Sequence, residues 1–430
     1  MPADLVGLRG PDPGGPGLPR PDGTSGLRLF SIWEICRHLI PVAPGHLRRI
    51  LRTAPGLPAG RTDTEGGTMW FTLEEVFALR DHLARTGRRP QRYLPTRPAV
   101  PEARIIGLTP AAPGMGATTL TAHLAIAAAM EGYRVLAIDL DPAGGLTRRL
   151  ERPSDPDGAA PDLSPAIARH YGTALREDNR RRMERGDAPR PLALEIDRVM
   201  DMPLSGLVRP SRWPGLDLLA ATSGLHRIAW QVPVWQAGLP GWSAWRALAD
   251  GLRADDMSGA YDLIFLDTAP DLGPLALMGQ AAADLLLLPL TATAPGAAEA
   301  AGGLARLGEA FAEIEARETR IARAVGGAGV EICWSRAHVV LTRHDSRRDA
   351  TATAALQAAL GGALMPQRLP ETALLGPGPA GGLASVYDAD YRDTNRGTFS
   401  EARAPFDELY AAVRDMVLET WDMTPGPAPE

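Results

Sequence analysis

The 430-residue chain contains no lysine; all 45 of its basic residues are arginine. Together with abundant alanine, glycine and proline this points to biased codon usage, which substitutes Arg for Lys readily but gives no reason for Ala in place of Lys. Cysteine is nearly absent too. Cys36 and Cys333, far apart, exclude a disulfide framework and suit a reducing cytoplasm. No apolar run approaches the roughly 20 residues that a membrane helix requires. The first residues, Met1 to Gly26, are rich in Pro and Gly and lack an apolar h-region, so they read as a disordered tail and not a signal peptide. His and Cys nowhere show metal-ligand spacing.

What is present is an ordinary globular composition, 45% hydrophobic, in a chain long enough for two domains. The net charge of -6 hides a contrast. Between Leu29 and Arg97, eleven arginines face six acids, which leaves this segment about +5 and the remainder about -11. A small basic module is joined to a larger acidic one.

The expected organisation is a tail over residues 1–28, a helical basic domain over 29–97, and an α/β domain over 98–430 with a charged insert at about 151–214. In the basic domain Ser31 caps a helix through Ile40, Pro41 breaks it, and a second helix spans Pro44 to Arg52. After the turn at Gly66-Gly67 and the apolar Met69-Trp70-Phe71, Thr72 and Glu75 form a capping box. That box opens a helix, Leu73 to Arg85, with Leu73, Val76, Phe77 and Leu83 at core spacing. Short helices, a tight turn and excess arginine fit a helix-turn-helix or winged variant, with Arg37, Arg48, Arg49 and Arg52 as DNA-binding candidates; the alternative is a small bundle with solvated arginines.

Beyond Pro101, strands alternate with helices. Strands are expected at Arg104–Thr109, Arg134–Leu140, Leu216–Ala221, Tyr261–Thr268, Asp284–Leu290 and His338–Arg343, with a helix at Gly116–Met130. The runs Leu263–Leu266 and Leu285–Leu288 are wholly apolar, as in strands covered on both faces, which gives a doubly wound, mostly parallel α/β fold. In the insert, Arg176–Arg190 is dense in arginine and acid. It reads as a solvated helix, with a second nucleic-acid contact as the sharper alternative. Trp230, Trp235, Trp242 and Trp245 read as one core or interface cluster, His123 as packed or solvated, and Phe406–Trp421 as a helix packed on the domain.

Ala112-Pro113-Gly114-Met115-Gly116-Ala117-Thr118-Thr119 sits between a strand and a helix, where backbone N–H groups and the helix dipole favour a phosphate and a Thr hydroxyl can meet Mg²⁺. Two later strands end in acids, Asp139-Leu140-Asp141-Pro142 and Asp267-Thr268-Ala269-Pro270. Ligands of such folds bind at this carboxyl edge of the sheet.

These stretches resemble the ParA/MinD group of P-loop proteins, and within it the plasmid-type partition proteins often called RepA. The resemblance runs from about Phe30 to near Trp421. It is carried by those motifs and by Ser31-Ile32-Trp33-Glu34-Ile35, Trp70-Phe71-Thr72-Leu73-Glu74-Glu75-Val76, Gly132-Tyr133-Arg134-Val135-Leu136 and Val340-Leu341-Thr342-Arg343. It implies a P-loop NTPase fold of the deviant Walker A type, ATP or ADP with Mg²⁺, and a cytoplasmic homodimer acting on DNA in plasmid or chromosome segregation. The partners it implies are a ParB/RepB-like centromere-binding protein or an intact ParA paralogue. By the same resemblance Gly114, Met115, Gly116, Ala117, Thr118 and Thr119 hold nucleotide, Thr118, Asp139 and Asp267 hold Mg²⁺, and Asp141 positions the attacking water.

In that family the loop carries two lysines. Here they fall on Ala112 and Ala117, Pro113 takes a glycine position, and Ala143 replaces a glutamine. Losing one donor to the transition state costs about 10²–10³ in rate, and Pro113 removes a backbone N–H from the cradle. Arg148 and Arg149 are candidates to compensate. Two expectations stay open: a nucleotide-binding partition protein with little hydrolysis, or a pseudo-ATPase acting as DNA-binding regulator or paralogue partner. An iron–sulfur reductase of related fold needs two cysteines per chain in this domain, and only Cys333 lies there.

Overall fold

The computed structural model describes residues 28–62, 67–152, 162–254, 257–292, 294–325, 334–375, 385–392 and 394–422. Residues 1–27 of the expected tail, Gly66 and Cys333 lie outside them. The chain forms two compact units, Met1–Leu94 with Thr372–Arg403, and Pro95–Glu371 with Ala404–Glu430.

In the smaller unit β1 (Phe30–Ser31), β2 (Arg61–Thr62) and β3 (Met69–Phe71) form an antiparallel sheet in the order β1-β3-β2. Ser31 and Glu34 cap each other in a capping box, but the helix they open is short: Ile32–Glu34 passes into a π-turn, Ile35–Leu39. It stops before Ile40, which is extended because the following Pro41 disfavours the α conformation. Helix α1 (Pro44–Thr53) follows. Then comes the β2–β3 hairpin and α2 (Leu73–Thr86), capped by Thr72 and Glu75 as the pattern indicates. Burial pushes the Cys36 thiol up to about 11, which disfavours the thiolate form.

Residues 372–403 carry no sequence signal that separates them from the α/β rhythm. Ring contacts place them in the smaller unit. Tyr391 meets Trp33 at 5.0 Å and Trp70 at 6.1 Å between centroids, and the Arg392 guanidinium lies 4.1 Å over Trp70.

The larger unit is built on β4 (Arg104–Leu108), β5 (Val135–Asp139), β6 (Arg209–Pro210), β7 (Leu216–Leu219), β8 (Leu263–Asp267), β9 (Leu285–Thr291), β10 (Arg336–Thr342) and β11 (Leu364–Arg368). They form one sheet, in the order β11-β10-β9-β4-β8-β5-β7-β6. Every pairing is parallel except that of the two-residue edge strand β6 with β7. The apolar runs explain the centre: all five residues of β8 are buried, as a sheet covered on both faces requires. Pro289 is tolerated in β9 because it lies beyond the last bond to the β4 side, Thr109 N–H to the Leu287 carbonyl at 3.0 Å.

Helix α3 (Ala117–Glu131) follows β4 and is apolar almost all round, so it is buried. His123 lies inside it, stacked on Phe406 at 4.2 Å between centroids. Helix α4 (Gly145–Leu150) follows β5. In the insert, α5 (Ser164–Glu184) buries Ile167, Tyr171 and Leu175. Three of its arginines are matched by acids: Arg180 bonds Glu177 and Glu184, Arg181 bonds Glu177, and Arg176 bonds Asp197. That pairing supports the solvated helix over a second nucleic-acid contact.

Trp235 and Trp242 pack on Tyr171, with centroids 4.8 Å and 5.1 Å away, and Trp245 packs in the core on the β9 side of the sheet. Trp230 does not join them. It stands 81% exposed on α6 (Gly224–Gly238), on the face opposite the buried Leu225, Ile228 and Val232. Then follow α7 (Pro274–Ala282), α8 (Ala294–Val325) and α9 (Ala350–Leu360). From Ala404 on, the C-terminal helix Arg396–Asp422 buries Phe406, Leu409, Val413, Val417 and Trp421, as its spacing indicates.

Candidate functional site

The loop joining β4 to α3 turns through two left-handed glycines, Gly114 (φ 80°) and Gly116 (φ 88°). Gly116 is the N-cap of α3, and no side chain caps that end. The first-turn N–H groups are therefore left for an outside acceptor, and the helix dipole makes an anion the favoured one. The loop is pinned from β10: the Thr342 hydroxyl donates to the Met115 carbonyl at 2.8 Å and shares its proton with Leu290 O at 3.3 Å. Ala112 and Ala117 present only methyl groups, and Ala117 is 5% exposed.

Asp139 and Asp267 end adjacent strands and are register partners, both with 0% exposure. Asp139 is held by hydrogen bonds. Its Oδ2 accepts from the Thr147 N–H and hydroxyl, both at 2.8 Å, and its Oδ1 accepts from Asp141 N–H at 3.1 Å. Asp267 Oδ1 accepts from the Thr121 hydroxyl at 3.1 Å, whereas its buried Oδ2 has no hydrogen-bond partner among the described residues. Burial pushes the Asp139 carboxyl up to about 6, against the Thr147 bonds that favour its charge. Burial, and then the facing Asp139, push Asp267 well above the carboxylate range, with the Thr118 and Thr121 hydroxyls acting the other way.

A buried anionic oxygen without a partner is costly unless it is protonated or meets a cation. Two hard carboxylates with a Thr hydroxyl alongside are suitable donors for Mg²⁺, which binds through one or two carboxylates, waters and substrate phosphates. Thr118 is part of this group and also touches the start of α4: a Cβ on Gly145 would lie 3.1 Å from its methyl. Asp141 is half-buried, with one carboxylate oxygen committed to the Ala143 N–H at 2.9 Å.

The fold thus brings the loop, Thr118, Asp139, Asp141 and Asp267 to one sheet edge. Arg148 is turned onto the Ala143 carbonyl within its own turn. Thr121 and Thr147 carry no motif in sequence, and Thr342 stands in the stretch Val340–Arg343 with no role assigned to it; in the structure they orient Asp267, Asp139 and the loop. Arg37, Arg48, Arg49 and Arg52 belong to the smaller unit, where all four are exposed.

A family described as AAA domain matches residues 103–322. A Sinorhizobium fredii protein carrying the provisional name replication protein A is 26% identical over 414 residues, 93% of this chain and 89% of the relative. The chromosome-partitioning ATPase Soj of Thermus thermophilus is 32% identical over 216 residues, which cover 50% of this chain and 66% of Soj. A solved structure titled Partition Protein shares the fold, with TM-score 0.59 and 18% identity over 93% of this chain and 94% of its own. With a loop of this form, acids at these strand ends and relatives of these kinds, the chain belongs to the ParA/MinD-type P-loop partition ATPase family.

Proposed function

We propose that this ParA/RepA-like protein acts in plasmid or chromosome segregation, holds ATP or ADP with Mg²⁺ at the loop, hydrolyses it little, and binds DNA through its smaller unit. The observation that carries nucleotide binding is Asp267, whose buried, unpartnered oxygen lies among Thr118, Asp139 and the uncapped start of α3. When bound, Mg²⁺ would neutralise phosphate charge; Thr118, Asp139 and Asp267 are the residues that would hold its shell, and Asp141 the one that would orient a water. The missing lysines support slow chemistry, because no fixed cation in the loop meets charge developing on the terminal phosphate.

For DNA, α1 carries exposed Arg48, Arg49 and Arg52 and no acid, and Ile32–Leu39, a short turn, α1 and the β2–β3 hairpin follow one another as in a winged helix-turn-helix. A nucleotide-dependent homodimer and a centromere-binding partner belong to the same proposal.

Binding of a fluorescent ATP analogue with Mg²⁺ tests it, with Asp267→Ala as the comparison. Saturable binding weakened by the substitution supports the proposal; no saturable binding at millimolar ATP ends it. The pseudo-ATPase reading is favoured by Ala at both lysine positions although arginine is plentiful. It makes the protein a DNA-binding regulator or a partner of an intact paralogue.

A further inference from the structure

We infer that Arg306 supplies the positive charge that the loop lacks, by meeting the terminal phosphates of the nucleotide bound there; this rests on the nucleotide-binding proposal above. On α8 the pair Gly302-Gly303 has no side chains, so the helix backbone seats on the loop. A Cβ on Gly303 would lie 3.0 Å from the Ala111 Cβ, one residue before the first missing lysine position. A Cβ on Gly302 would lie 3.1 Å from Arg306 Nη1, so the guanidinium lies back along this same turn. Arg306 also lines a cavity of about 270 Å³ together with Thr109, Pro110, Ala111, Asp271 and Leu272. Its walls are therefore the first residues of the loop and the segment just past Asp267.

Arg306 is exposed, and among the described residues its guanidinium makes no hydrogen bond or ion pair. An unpaired guanidinium on the cavity that the first residues of the loop line is chemically suited to a bidentate contact with phosphate oxygens. Asp271, on the same cavity, is exposed and has Oδ1 engaged by the Gly273 N–H at 2.9 Å. Its charge opposes an anion, so removing it is expected to tighten binding. The competing cation is Arg343, which follows Thr342 at the far side of the loop in a left-handed conformation, φ 50°.

The test is equilibrium binding of Mg²⁺ with ATP, ADP and tripolyphosphate to the full chain and to Arg306→Ala, Arg306→Lys, Arg343→Ala and Asp271→Asn, each checked by circular dichroism. Arg306→Ala is expected to weaken ATP by about tenfold or more, and ADP less, with Arg306→Lys keeping most of the affinity and Asp271→Asn gaining some. Unchanged ATP affinity in Arg306→Ala, equal loss for ATP and ADP, or a loss found only in Arg343→Ala would overturn the inference. If the wild-type chain binds no nucleotide, the proposed function fails. Tripolyphosphate binding that depends on Arg306 would then still uphold the anion site, and its absence would overturn that too.

Discussion

Asp139 and Asp267 face one another in register at the carboxyl ends of neighbouring parallel strands, with no solvent on either. Asp139 is held at both oxygens, while Asp267 keeps one without a partner. The pair is thus poised to attract a proton or a metal ion, and either removes repulsion that the fold otherwise carries.

Both carboxyls titrate above their unfolded values, Asp139 at about 6, so between about pH 4 and 6 the folded state binds more protons than the unfolded one. Asp139 therefore adds stability as pH falls through about 6 and loses that contribution above it, and the raised Asp267 acts in the same direction. Asp267→Asn is expected to raise the melting temperature of the metal-free protein at pH 7.5 and to flatten this rise on acidification. A melting temperature at pH 7.5 at or below wild type would contradict it.

Lysine restoration separates the two functional readings. Ala112→Lys with Ala117→Lys is expected to raise DNA-stimulated ATP hydrolysis by about 10²–10³ over wild type, since the acids and hydroxyls of the site are in place. Phosphate release is the measurement. Robust DNA-stimulated hydrolysis in the variant, equalled by wild type, would show that the chain is already an effective ATPase and would end the pseudo-enzyme reading.

Replacing Arg48, Arg49 and Arg52 together by Gln is expected to weaken DNA binding uniformly across sequences. If all three touch phosphates, the slope of log affinity against log salt falls by about 3. Fluorescence anisotropy over a salt series measures this, and an unchanged slope would remove α1 from the interface.

His38 gives the smaller unit the opposite acid response. Burial, then Arg403 and Arg37, push its pKa down to about 3. The unfolded chain thus takes up a proton near pH 6.5 that the folded unit refuses, and stability is lost as pH falls below that value. In urea titrations at pH 7.5 and 5.5, wild type is expected to lose about 1 kcal/mol more than His38→Asn. An equal loss in both proteins would count against this account.

Much was written in one-dimensional pattern. The runs Leu263–Leu266 and Leu285–Leu288 announce strands buried on both faces, because a continuous apolar run has no solvent side. The capping box at Thr72–Glu75 forms as written, since its partners lie three residues apart and need no tertiary help, and Ser31 caps as expected while adding a box with Glu34. The loop and the strand-end acids were legible for the same reason: turn and strand residues adjacent in sequence specify their own geometry.

Tertiary structure decided the rest. Trp230 and Trp242 look alike in sequence, but only packing against Tyr171 buries Trp242, while Trp230 falls on the outer face of α6. Residues 372–403 go with the smaller unit because Tyr391 and Arg392 find rings more than 300 positions away in sequence. Asp267 keeps an oxygen without a partner only because β5 and β8 align it with Asp139 and α3 brings Thr121 to one side. Arg306 stands beside the loop because Gly302 and Gly303 let a distant helix touch Ala111. Local pattern sets what a segment can form; which distant side chains meet depends on how those segments pack.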